Sequence, residues 1–286
     1  MTIVVTCTDR KSLPVSDDLR IRNLSPGTVE SRASAWDESL GRATDRRTLR
    51  ALYQGEAWSQ VLRLEGAARA AGYDPVVLVA SAGLGLRPLD HRAPAYAATF
   101  STGHDDSVAL TVEQAQGWWQ AISADSPSTL SGPMLWVLSK DYSKVIADDM
   151  LARTNGDPLL VFGGSVDVPS DRRVPSNRQL RRTLGGTANS LNLRMAVQWL
   201  ELSGACGAFS AEALKRWHDW CTKAARPESY NRDRIADETI LDLIRAFREM
   251  DPGITKSRAL RQLRDSNLAC EQRRFGTLFQ QTEEVS

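Results

Sequence analysis

The chain has 286 residues, 42% hydrophobic and 25% charged, with a formal net charge of +1, enough for one large buried core or two modest ones. No repeat period or low-complexity tract is present, and no apolar run approaches the ~18 residues a membrane helix needs. The near-zero charge hides an asymmetry: residues 1–170 hold 16 Lys and Arg against 20 Asp and Glu, net −4, whereas residues 171–286 hold 20 against 15, net +5.

A basic C-terminal half points to an anionic partner. Cys7, Cys206, Cys221 and Cys270 form no Cys-x-x-Cys pair, and the histidines are His91, His104 and His218 alone. Neither a metal site nor a disulfide framework is indicated. The N-terminus lacks the basic, apolar and small-residue order of a signal peptide, so a cytoplasmic protein without a membrane partner is expected.

The chain opens with the β-branched run Thr2–Thr6, which reads as a buried strand ending in Cys7-Thr8-Asp9-Arg10-Lys11. A polar stretch, Pro14 to Arg47, separates it from a helical pattern over Arg50–Ala71, in which Leu52, Trp58, Val61, Leu62 and Leu64 recur and Gly72 supplies a stop. A second apolar run, Pro75–Ala80, leads into the glycine-rich turn Ser81-Ala82-Gly83-Leu84-Gly85-Leu86. Thr111 starts a helix carrying Trp118 and Trp119, both expected in the core. Met134–Leu138 ends in Ser139-Lys140-Asp141-Tyr142, and Pro158–Phe162 ends in Gly163-Gly164-Ser165.

Strands alternating with helices predict a mostly parallel α/β sheet with right-handed crossovers. Ligands of such sheets bind outside the carboxyl ends of the strands, so these four ends should be neighbours and build one cleft. Residues 1–167 are expected as this α/β domain and 168–234 as a linker and helical region. Within the latter, Asn189 and Ser190, expected to contact DNA, precede a helix running through Leu202. Further helices should start near Ser210, Asp237, Thr255 and Cys270. Residues 235–286 read as a helix-turn-helix-like bundle with a turn at Ser266-Asn267, presenting Lys256, Arg258, Arg261, Arg264, Arg273 and Arg274 to DNA.

The cleft offers carboxylates that can orient a water or stabilise a cation, Asp9 and Asp141, and a lysine, Lys11, that can hold a phosphate or stabilise a leaving anion. Tyr53, Tyr96, Phe100 and Tyr142 with Ser81, Gly83, Ser139 and Lys140 could supply the flat wall and polar groups that hold an everted base. No Gly-x-Ser-x-Gly elbow supports a nucleophilic serine. Gly83-x-Gly85 lacks the third glycine of a dinucleotide site and no phosphate-loop motif occurs, so no cofactor is expected.

The strand ending Thr6-Cys7-Thr8-Asp9-Arg10-Lys11, with Tyr53-x-Gly55 and Ser81–Leu86 followed by Pro94-x-Tyr96, resembles the domain of archaeosine-synthesis enzymes and related 7-deazaguanine and DNA-modification proteins. That resemblance implies a fold similar to uracil-DNA glycosylase, an α/β/α sandwich built on a parallel sheet. Joined to a basic helical C-terminal part, it looks like the anti-phage DNA glycosylases that excise modified bases, for example glucosylated hydroxymethylated pyrimidines. The water-activating Gly-x-Asp-Pro of uracil glycosylases is absent; Asp9 stands after the corresponding strand. Gly163-Gly164-Ser165 stands where the family carries its DNA-inserting loop. Three functions follow: a glycosylase using Asp9 or Asp141, a base-modifying enzyme using Lys11, or a non-enzymatic sensor of modified DNA. No obligate protein partner is inferred.

Overall fold

The computed structural model describes residues 1–126, 129–227, 233–266 and 268–282. They fall into two units, Met1–Arg226 and Pro227–Ser286. The first is a mixed α/β unit. In chain order it contains β1 (Thr2–Thr6), α1 (Val29–Arg42), α2 (Glu56–Ala70), β2 (Val76–Ser81), β3 (Gly85–Pro88) and α3 (Val112–Ile122). There follow β4 (Met134–Leu138), α4 (Lys140–Arg153), β5 (Leu159–Gly163), β6 (Arg173–Val174), α5 (Leu191–Ser203) and α6 (Ala211–Ala224).

The six strands lie in the order β3-β2-β1-β4-β5-β6, all parallel except β3, which returns antiparallel to β2. Their apolar runs are continuous because both faces are covered; all five residues of β4 are buried. On these faces α1, α3 and α4 pack in succession, while α5 packs against α2, α6 and strands β4 and β5. Phe162 of β5 stands edge-on to Trp199 of α5 at 5.6 Å and to Trp217 of α6 at 6.3 Å. The arrangement is consistent with an α/β/α sandwich. From central β1 the chain runs to β2 on one side, then crosses to β4 on the other. The carboxyl ends of β1 and β4 therefore flank the point where strand order reverses, the usual ligand crevice of open α/β sheets.

Four local expectations are corrected. The helix expected over 50–71 is interrupted: a short helix, Leu49–Leu52, is followed by Tyr53-Gln54-Gly55, and α2 starts at Glu56 with Gly55 at φ 100°. Tertiary pairing overrides the helical periodicity, since the loop after β1 zips against this segment. The polar stretch Pro14–Arg47 hides α1, which Thr28 caps and which buries only Ala33, Trp36 and Ser39, too few positions to mark a period. The turn after β2 leads into a hairpin strand, with Ser81 paired to Gly85. Finally, residues 168–226 do not stand apart, because α5 buries Val197, Trp199 and Leu200 in the core shared with the sheet.

The second unit holds α7 (Asp237–Met250), α8 (Lys256–Asp265) and α9 (Gln272–Gln281), with a two-residue parallel pairing of Asp233–Arg234 and Leu268–Ala269. Ile240, Ile244, Leu260, Leu263, Phe275 and Phe279 form its core. Thr255 caps α8, and the Glu271 carboxylate caps α9 by accepting from the Arg273 and Arg274 amides. Residues 266–271 separate α8 from α9 and include Leu268–Ala269, a longer link than the turn of about three or four residues in a helix-turn-helix. Asn267, expected in that turn, lies outside the described residues.

Candidate functional site at the strand ends

Parallel register brings the four expected strand ends together: Thr6 pairs with Ala80, Val5 with Val137, and Leu138 with Gly163. The loop leaving β1 folds back on residues 52–54, the Ser12 amide donating to the Leu52 carbonyl at 2.8 Å and the Gln54 amide to Arg10 at 2.9 Å. A bridge between Lys11 and Tyr53 completes this zip and aims the lysine inward. Its Nζ stands 4.4 Å from the ring centre of Tyr96 and 5.7 Å from that of Tyr53. It donates to the Thr8 and Asp9 carbonyls, each at 3.2 Å. Among the described residues no carboxylate forms an ion pair with it. Burial draws its pKa below the ordinary lysine value, and nearby Cys7, Asp9 and Asp106 oppose that shift without cancelling it.

Beneath the lysine the hydroxyls of Ser81, Tyr96 and Tyr53 form a buried chain, with 2.5 Å between the two tyrosine oxygens. Burial raises both tyrosines well above the usual phenol value, so they stay protonated. The adjoining turn is held from outside: Trp36 Nε1 donates to the Gly83 carbonyl and Trp118 Nε1 to Ala82, both at 2.8 Å. Gly83 is glycine for want of space, since a Cβ there would sit 2.5 Å from the Tyr96 ring. Ser81, Tyr53 and Tyr96 are at most 2% exposed and Gly83 is buried, while Phe100 stands edge-on to Tyr142 at 4.9 Å and to Trp119 at 6.2 Å. The expectation that they hold a base is corrected for this conformation, because each is spent on core packing. They form the floor under Lys11.

Between the segments that follow β1 and β4, the Cys7 thiol lies 3.1 Å from the Tyr142 hydroxyl and links them. Ser139 caps α4 by accepting from the Tyr142 amide, and both it and Lys140 are exposed. Asp141 is half-buried and accepts from Ser101 Oγ at 3.1 Å. The Asp9 carboxylate is exposed at the rim. Asp9, Lys11, Ser139, Lys140 and Asp141 are thus the expected residues with polar groups at or near an accessible edge.

At β5 the expectation of free DNA-contacting groups meets a packed turn. Gly163, at φ 86°, leaves no room for a side chain beside the Leu138 carbonyl and Asn192. The Gly164 amide donates to Leu138 at 3.0 Å, and buried Ser165 bonds Ser143 and Asp167. Asn189 is exposed, but Ser190 is buried and donates to the Thr187 carbonyl. In the second unit Arg258 pairs with Asp251, Arg274 with Asp237, and Arg264 bonds the Cys270 carbonyl. Lys256, Arg261 and Arg273 are exposed and form no ion pair among the described residues.

Sequence reading missed Cys7 as a partner of Tyr142, although Cys7 lies within the motif it used. Ser101 carried no sequence signal, because its role depends on a loop path set by the fold. Among the described residues no group of three or more His, Cys, Asp and Glu could hold a metal ion, and no helix is long and apolar enough to cross a membrane. No family model matches the chain, and no curated protein or solved structure matches it.

Proposed function

We propose that the chain is a DNA glycosylase that releases a modified base by hydrolysing its N-glycosidic bond. The observation that carries this is Lys11, a half-buried ammonium held by carbonyls and aromatic faces where the ends of β1, β2 and β4 converge. Water adds to C1′ as the C1′–N bond breaks. The bonding pair leaves with the base, whose anionic charge the ammonium stabilises. Asp9 at the rim faces the cationic sugar and takes the proton of the attacking water. Lys256, Arg261 and Arg273 supply phosphate contacts.

A second use of the same residue is favoured by its lowered pKa, which enlarges the fraction of free amine. In that reading the Lys11 amine itself attacks C1′ and expels the base, leaving a covalent sugar adduct. Incubation with duplex DNA carrying a modified base, followed by mass spectrometry of released bases and borohydride reduction, separates the two. Released base without a reduced protein–DNA adduct is expected. Release with an adduct at Lys11 would establish the covalent route, and tight binding without release would leave a sensor.

A further inference from the structure

Away from the strand-end residues around Lys11, a cavity of about 460 Å³ opens between α1, the turn after β2, the edge strand β3 and the end of α3, a volume suited to a small molecule. Leu40 and Ile122 contribute apolar wall, and Arg46, Arg87, His91, Glu30, Asp37 and Asp125 contribute charge and polarity. Arg46 is fixed, its Nε and Nη2 donating to the Ala43 and Leu40 carbonyls at the end of α1. Arg87 is half-buried and its guanidinium, among the described residues, makes no hydrogen bond or ion pair; Asp37 and Asp125 are exposed and, among the described residues, neither is paired with an arginine. Burial and the charges of Arg87 and Arg46 hold the His91 pKa below its ordinary value, so the imidazole is neutral near pH 7.

Unpaired guanidinium and unpaired carboxylates thus line one cavity without neutralising each other. A simple anion would meet the carboxylates, and a simple cation would meet the arginines. A ligand carrying both signs on an apolar body matches both, with its carboxylate on the planar donors of Arg87 and its ammonium toward Asp37 and Asp125. We propose that this cavity binds a small zwitterion of the amino-acid type with an apolar side chain. The site is independent of the glycosylase reading.

The test is calorimetric titration of the full chain with L-phenylalanine and L-leucine, beside 3-phenylpropanoate and phenethylamine, which keep the body and lack one charge. The expected result is saturable binding of an amino acid, weakened about tenfold or more in each one-charge analogue. Arg87→Ala and Asp125→Asn, checked for folding by circular dichroism, should each weaken it by a similar factor. Absence of amino-acid binding at millimolar concentration, equal binding of either analogue, or unchanged binding by both variants would overturn the proposal.

Discussion

Among the described residues Lys11 has no anionic partner in an ion pair, and the tyrosine faces beneath it offset only part of its lost hydration. Its lowered pKa means that the folded protein binds this proton less tightly than the unfolded chain does. Between the lowered value and the unfolded value of about 10.4, the unfolded state holds more protons, so stability contributed by this residue rises with pH. Denaturant titrations of wild type and Lys11→Met should therefore differ in a pH-dependent way. Wild type should gain on the variant as pH climbs from neutral into the alkaline range, and a constant difference would mean the Lys11 proton is unperturbed. Asp9 gives the contrasting case. Its carboxylate is exposed and, among the described residues, forms no hydrogen bond or ion pair, so Asp9→Ala should change stability by less than about 0.5 kcal/mol. If it faces the developing sugar cation, base release should fall by about 10²- to 10³-fold in the same folded variant. Full activity there would shift the role to Asp141, which Ser101 already orients.

At the scale of elements, the turn after β2 fixes the floor of the site through two indole donors and one missing Cβ. Gly83→Ala would press a methyl group against the Tyr96 ring, which is itself locked by Tyr53 and Ser81. The expected cost is about 1–3 kcal/mol, the usual range for overpacking a filled core. Base release should fall too, as Tyr96 is displaced from under Lys11; an unchanged melting curve would show that the ring can yield. The four buried strands and most helix starts were legible in the sequence because each has a local signature: a β-branched apolar run, or a capping residue such as Thr111, Ser210 or Thr255. What was not legible depended on contacts distant in the chain. Tyr53-Gln54-Gly55 leaves the helix because Arg10 and Lys11 claim its backbone. Likewise Ser81 and Tyr96 read as pocket groups from their types, yet find each other and close the floor. The glycine pair at 83 and 85 was read correctly as a special turn, but its geometry serves a hairpin and a close ring contact.

At the scale of the whole molecule, the charge asymmetry read from the sequence is real but reaches solvent only in part. Of the six basic residues expected to grip DNA, Arg258 and Arg274 are neutralised by Asp251 and Asp237, and Arg264 is turned onto a backbone carbonyl. That leaves Lys256, Arg261 and Arg273, at the start and middle of α8 and the start of α9. Each phosphate neutralised contributes about 0.9 to the slope of log K against log salt. If these three residues hold phosphates, replacing all three by alanine should reduce the magnitude of that slope by nearly three. Affinity should drop alike for every duplex sequence, since phosphate contacts carry no base information. Arg274→Ala should behave differently, because its guanidinium ties the Asp237 carboxylate and the Ile235 carbonyl. It should lower the melting temperature of the chain while moving the salt slope less than any of the three exposed substitutions. Salt titrations of duplex binding by these variants, read beside their thermal unfolding, make the comparison. A triple variant with the wild-type slope would remove α8 and α9 from the DNA contact.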